Sequence, residues 1–298
     1  MQPTGIRCLS RMSALLVATL LLTGCGATAT PTPSPSVSTD PSTPPTVGPS
    51  GSPGSDVTQA PPAALTIFGA ASLKGALDHL KTSYEAGHPS STLTISTDSS
   101  AALETQIEQG APVDVFLSAD VTNPQKLVAG GLVDGDPVAF AGNLLTIVVP
   151  AANPAKIASP ADLARSGIKI IAAGDDVPIT KYAEQAVDLL AGISGYPAGF
   201  AAKYAANVVS REDNVKAVIA KIELGEGDAA IVYVTDARAS TKVTTIDIPP
   251  QANPPATYAG VVVKASKHLA TAHQFLDWMS GAEAQLILAQ LGFIPPQT

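Results

Sequence analysis

From Leu65 onward, short apolar runs alternate with helix-period patterns, and no other feature of the chain limits its fold so strongly. A chain punctuated this way builds an α/β fold, expected here with mainly parallel sheets. Leu65-Thr66-Ile67-Phe68 reads as a strand, and after Ser72 the residues Leu73, Ala76, Leu77, Leu80 and Tyr84 recur at helical spacing. Residues 93–95, 113–117 and 144–149 predict further strands, and Ser99-Ser100 precede a helix carrying Leu103 and Ile107 on one face. The pattern repeats in the second half. A strand over 168–172 leads through Val177-Pro178 into a helix with Tyr182, Ala183, Ala186, Val187 and Leu190. Asp213-Asn214 open another, with Val215, Val218, Ile219 and Ile222 inward and Gly225 as its stop. Strands over 229–234 and 258–263 follow, and helices over 269–279 and 282–291 close the chain. The body after residue 63, about 235 residues, is ample for a large core.

The residues before this body do not fit it. Arg7 and Arg11 precede an apolar run over 14–22, too short to span a bilayer core of about 30 Å. The run ends in Leu22-Thr23-Gly24-Cys25, which resembles the lipobox of bacterial lipoproteins, where the signal is cleaved before a cysteine that is then acylated. On that reading Cys8 leaves with the signal and Cys25 carries the lipid, so no thiol remains for a disulfide, metal or nucleophile. Residues 27–62 are almost wholly Pro, Ser, Thr, Gly and Ala, with only Asp40 and Asp56 charged. Such a stretch buries too little apolar surface to offset its ordering entropy and reads as an extended tether.

What stands where strands hand over to helices carries the functional information. Ser72, Ser99-Ser100, Pro178 and Asp213-Asn214 all occupy expected N-cap or first-turn positions. Each helix start exposes four orphan N–H groups and about half a positive charge. In open α/β sheets these starts gather at the carboxyl ends of the strands. Several facing one cleft make an anion site without Lys or Arg. Ser, Asp and Asn are also ordinary caps, so capping alone decides nothing.

The sequence lacks the marks of the common enzyme classes. The body contains no G-x-S-x-G elbow, no phosphate-cradling G-x-x-x-x-G-K and no H-E-x-x-H. His79, His88, His268 and His273 lack the spacing of two ligands on one helix face and read as surface residues. A formal net charge of -8 argues against nucleic acid, since no basic cluster is available to neutralise phosphates. A secreted α/β enzyme is the reading of another class that these absences argue against.

Phe68-Gly69-Ala70-Ala71-Ser72-Leu73, Asp98-Ser99-Ser100-Ala101-Ala102-Leu103 and the run from Gln106 to Asp120 resemble the molybdate-binding periplasmic protein family. The resemblance resumes at Val177-Pro178-Ile179-Thr180-Lys181-Tyr182-Ala183, at Glu212-Asp213-Asn214-Val215-Lys216 and from Gly227 to Ala237. Gly281-Ala282-Glu283-Ala284-Gln285 with Leu291-Gly292-Phe293 is similar to the last helix of many solute-binding proteins. These blocks cover nearly all of the body in the family's order.

The resemblance implies an α/β fold of periplasmic-binding-protein type II, two lobes with a ligand cleft between them. The lipobox-like stretch and the composition after it give a signal over 1–24 and a tether over 25–63, and the family resemblance implies a first lobe over 64–141 with 256–298 and a second over 142–255. The oxyanion donors it implies are the hydroxyls and N–H groups of Ser72 and Ser100, the backbone N–H groups of Ile179 and Val215, and the Tyr233 hydroxyl. Ile179 stands where the family often has alanine, which keeps the backbone donor but is expected to tighten the pocket mouth. Residues 192–200 read as an insertion relative to shorter members. The implied ligand is molybdate or tungstate, with sulfate or another tetrahedral oxyanion as the alternative, and neither cofactor nor cation ligands are expected. The partners are an ABC permease and the membrane, the latter through the lipid, on the outer face of the bacterial plasma membrane, with the protein a monomer. Asp120 and Asp236 read as loop and cap residues, because a carboxylate repels a dianion.

Overall fold

The structure is a computed structural model that describes residues 63–297; the signal, Cys25 and the tether lie outside the described residues. The chain enters through β1 (Ala64–Ala70), α1 (Lys74–Gly87), β2 (Thr92–Asp98), α2 (Ser100–Glu108), β3 (Val115–Ser118), α3 (Thr122–Ala129) and β4 (Val133–Asn143). It then crosses into β5 (Leu145–Pro150), β6 (Ile170–Ala173), α4 (Pro178–Ala191), α5 (Phe200–Ala206) and β7 (Val208–Glu212). From there it runs through α6 (Val215–Glu223), β8 (Ala230–Tyr233), α7 (Val234–Arg238) and β9 (Val243–Asp247). It returns as β10 (Ala256–Val263), α8 (Leu269–Ser280) and α9 (Ala282–Gln290).

The first lobe is built on a five-stranded sheet in the order β2-β1-β3-β10-β4. Its parallel part pairs Leu65 with Leu93 and Ile67 with both Ile95 and Val115. Helix α1 buries Ala76, Leu77, Leu80 and Tyr84, one stripe at helical spacing, against the core. The second lobe has an antiparallel sheet, β8-β5-β9, and a parallel pair, β6-β7. A bridge between Ile170 and Ala229 joins the two. One large apolar cluster runs from Leu65 and Leu80 through Ile147, Ile171 and Val218 to Phe275, so both lobes share a continuous core.

The expectation of mainly parallel sheets is corrected. The pairs β3-β10, β10-β4, β5-β8 and β5-β9 are antiparallel; only β1-β2, β1-β3 and β6-β7 are parallel. In the first sheet the return of β10 causes this, because it enters between β3 and β4 from the opposite direction; in the second, β5 runs opposite to both β8 and β9. Strands β4, β7 and β9 and helices α3, α5 and α7 were not legible. The first half of β4 holds Asp134, Gly135, Asp136 and Pro137, composition of a turn, but β4 is an edge strand and tolerates a proline. Gly225, read as the stop of a helix, lies just past α6 at φ +73, a conformation open to glycine.

The two lobes join where β4 passes into β5 and β9 into β10. Gly142 exchanges backbone hydrogen bonds with Ile294 there, at 2.6 and 2.9 Å. A Cβ at Gly142 would stand 2.7 Å from the Pro295 carbonyl oxygen and 2.9 Å from Ile294 Cγ1. Backbone cannot yield as a side chain does, so Gly142→Ala is expected to cost about 1–3 kcal/mol of stability, measured by chemical denaturation.

Candidate functional site

Strand β1 ends in a 3-10 turn, Ala71–Leu73, that places Ser72 at the first lobe's edge of the cleft. Strand β2 ends at Asp98, after which Ser99 is the N-cap of α2 and Ser100 its first residue. Across the cleft, Val177 is the N-cap of α4, with Pro178 in the first turn, where its missing N–H costs nothing. Asn214 caps α6, its side chain accepting from the Ala217 N–H at 3.1 Å, and Val215 follows. The starts of α2, α4 and α6 therefore meet at one small, tightly lined pocket, bounded by Ser72, Ser100, Ile179, Val215 and Tyr233. Among the described residues no Lys or Arg lines it.

Burial sets the chemistry of these groups. Ser100 is buried, and its Oγ accepts the Ala119 N–H at 3.0 Å, which leaves its own hydrogen free to donate. Tyr233, at the end of β8, is 1% exposed and its hydroxyl has no hydrogen-bond partner. Burial holds its pKa well above the ordinary phenol value, so the group stays a neutral donor. Its ring stands 5.7 Å from Tyr258 and 6.4 Å from Tyr182. A buried unpartnered hydroxyl costs about 1–3 kcal/mol of lost solvation, and a ligand oxygen would recover it. The Ile179 side chain is buried in the apolar core. It also borders a larger cavity of about 280 Å³, lined mainly by apolar side chains of α4, α5 and the strands beneath.

Three contacts escaped the sequence. Asn214 Nδ2 donates across the cleft to Asp98 Oδ1 at 3.0 Å, and the same oxygen accepts the Ser99 N–H at 2.7 Å. Ser72 Oγ lies 3.0 Å from the Tyr258 hydroxyl. Ala119, at the end of β3, lines the pocket as well. The Asn214–Asp98 and Ser72–Tyr258 contacts join residues 116 and 186 positions apart, and no spacing rule reaches that distance.

Asp120 behaves as a cap, accepting from Ser118 Oγ at 2.9 Å and from the Asn123 N–H at 3.0 Å. Asp236 corrects the expectation of a loop or cap. It sits inside α7, fully buried, in an ion pair of 2.7 Å with Lys216 of α6. Burial raises its carboxyl to about 6, against the opposing pull of Lys216. Among the described residues no group of His, Cys, Asp or Glu could hold a metal ion. His273 lies 2.8 Å from Asp134, and His88 stacks on Tyr84. No helix of the described residues is long and apolar enough to cross a membrane.

Two α/β lobes with helix N-termini converging on a cleft define a solute-binding protein. The family described as bacterial extracellular solute-binding protein matches residues 65–294, and the chain belongs to it. The molybdate-binding protein ModA of Mycobacterium tuberculosis (strain ATCC 25618 / H37Rv) is 36% identical over 233 residues, 78% of this chain and 85% of the relative. A Bacillus subtilis protein, YvgL, named provisionally as an ABC transporter substrate-binding lipoprotein, is 32% identical over 231 residues, 77% of this chain and 85% of that one. The periplasmic molybdate-binding protein of Azotobacter vinelandii superposes with a TM-score of 0.66 at 26% identity, over 78% of this chain and 100% of that chain. The sulfate-binding protein SubI of Mycobacterium tuberculosis shares the fold with a TM-score of 0.69 at 24% identity, over 78% of this chain and 86% of that chain. The two-lobed class expected from the sequence is the one observed.

Proposed function

We propose that this chain captures a fully ionised tetrahedral oxyanion, molybdate or tungstate, and delivers it to an ABC permease. The observation that carries the reading is the buried, unpartnered Tyr233 hydroxyl at a pocket where three helices begin. The donors are the Ser72 and Ser100 hydroxyls, the backbone N–H groups of Ile179 and Val215, and Tyr233. A site made of donors suits an anion with no proton to give, whereas hydrogen phosphate would want an acceptor. Hydrogen bonds to a charge contribute about 1.5–3 kcal/mol each. Five give on the order of 8–15 kcal/mol before association costs, and micromolar binding needs about 8. Dipoles at contact distance outweigh the chain's distant negative charges, which salt screens beyond about 8–10 Å.

The same reading makes the chain a monomer held by a lipid on Cys25 to the outer face of the bacterial plasma membrane. A signal over 1–24 would be removed and a tether over 25–63 would carry the body. The lobes divide as 64–141 with 256–298, and 142–255. The relatives are named as binding proteins, which supports a binding role for this chain.

Isothermal titration of the chain from Ala64 onward with molybdate, tungstate, sulfate and phosphate tests the proposal. Tight binding of the first two alone is expected; tight sulfate binding would move the substrate, and silence toward all four would sink the function. Tyr233→Phe is expected to weaken molybdate binding by about 1–3 kcal/mol. Its melting temperature should hold or rise, because the removed hydroxyl has no partner to lose.

A further inference from the structure

Beside the pocket, four polar side chains form a buried chain whose hydrogens can be assigned. Asn143 Oδ1 accepts the Leu144 backbone N–H at 3.0 Å, which turns its amide nitrogen the other way. That nitrogen donates to Thr235 Oγ1 at 2.8 Å and approaches the Tyr258 oxygen at 3.4 Å. The Tyr258 oxygen therefore receives a hydrogen, and its own goes to the group 3.0 Å away, Ser72 Oγ. Ser72 Oγ has no other hydrogen-bond partner among the described residues, so its hydrogen is left for the pocket that Ser72 lines. Tyr258 is fully buried, and burial keeps its phenol protonated.

We propose that Tyr258 is a positioning residue that fixes Ser72 as an obligate donor and thereby makes the pocket reject oxyanions that carry a proton. A free serine hydroxyl both donates and accepts, and would rotate to suit a protonated ligand. With the Tyr258 hydrogen on its oxygen, Ser72 offers a proton toward the pocket, and a P–OH or As–OH group meets hydrogen against hydrogen. Discrimination of this kind is built from a repulsive contact rather than from a better fit. The chain of bonds also spans the junction of the lobes, since Asn143 ends β4 and Thr235 lies in α7. The inference rests on the oxyanion reading above.

The test is a double-mutant cycle on the full chain with Tyr258→Phe, Ser72→Ala and both together, titrated with molybdate and with phosphate. Phenylalanine keeps the ring contacts with Phe140, Tyr233 and Phe293. Tyr258→Phe is expected to weaken molybdate binding about threefold to tenfold and to narrow the molybdate-to-phosphate ratio. In the Ser72→Ala background it should add nothing, because a residue acting through another loses its effect when that one is gone. Asn143→Asp is the second variant: its carboxylate would draw the Tyr258 hydrogen away from Ser72 and should reproduce the narrowed ratio. Additive effects of Tyr258→Phe and Ser72→Ala, or an unchanged ratio in both the Tyr258 and Asn143 variants, would overturn the inference while leaving the oxyanion reading intact. A wild-type protein silent to every oxyanion would overturn both.

Discussion

The double variant Ser72→Ala, Ser100→Ala is expected to lose molybdate affinity by a factor on the order of 10² to 10⁴. Two hydrogen bonds to a charged ligand, about 1.5–3 kcal/mol each, set that range. The backbone donors at the starts of α4 and α6 survive the change, so residual weak binding is expected. Stability should fall by less. Ser100→Ala leaves the buried Ala119 N–H without its 3.0 Å acceptor, and Ser72→Ala removes the Tyr258 partner. Together these cost on the order of 1–3 kcal/mol. Titration calorimetry beside a thermal melt separates the two effects. Unchanged affinity in a folded variant would remove these serines from the site.

Lys216→Met is expected to destabilise the fold by about 3 kcal/mol at pH 8 and by much less at pH 5. Lys216 is the counter-ion of Asp236, whose side chain is fully buried. Removing one partner of a buried pair strands the other charge, at a cost of about 3–5 kcal/mol. The pH dependence follows from the direction of the shift. The Asp236 carboxyl titrates at about 6 in the folded protein against 3.8 in the unfolded chain, with burial the main cause. The folded state thus holds this proton more tightly than the unfolded state does. Its contribution to stability is greatest below about 4, falls as pH rises toward 6, and is constant above that. At pH 5 the carboxyl is mostly neutral and has little need of Lys216; at pH 8 it is ionised. Denaturation curves at the two pH values check this, and an equal loss at both would refute it. Lys216 is the neighbour of Val215, so the variant should also weaken oxyanion binding at pH 8 if α6 shifts.

The helix starts around the pocket were legible because a helix start has a local signature, whereas the donors proposed there came from the family resemblance. Ser99-Ser100, Val177-Pro178 and Asp213-Asn214 each announce a cap or a first turn within a few residues, and all three became the N-termini of α2, α4 and α6. Tyr233 was found through the resemblance; its isolation was not, because whether a hydroxyl has a partner depends on every element packed around it. Tyr258 read only as part of a strand. Asp236 read as a loop residue because a carboxylate shortly after an apolar strand looks like a turn. Its partner Lys216 lies twenty positions earlier, on a different helix.

Strand β4 shows the same divide at the level of the fold. Its turn-like first half gave no period to read, and only pairing with β10 makes it a strand. Apolar periodicity and capping chemistry act over a few residues, so the sequence by itself determined the α/β alternation, most helices and the helix starts that line the pocket. Which way β10 runs, which hydroxyl is left unpaired and which charge is buried depend on contacts between residues tens to hundreds of positions apart. Those are decided by how the lobes close around a common core, and only the tertiary structure holds that arrangement.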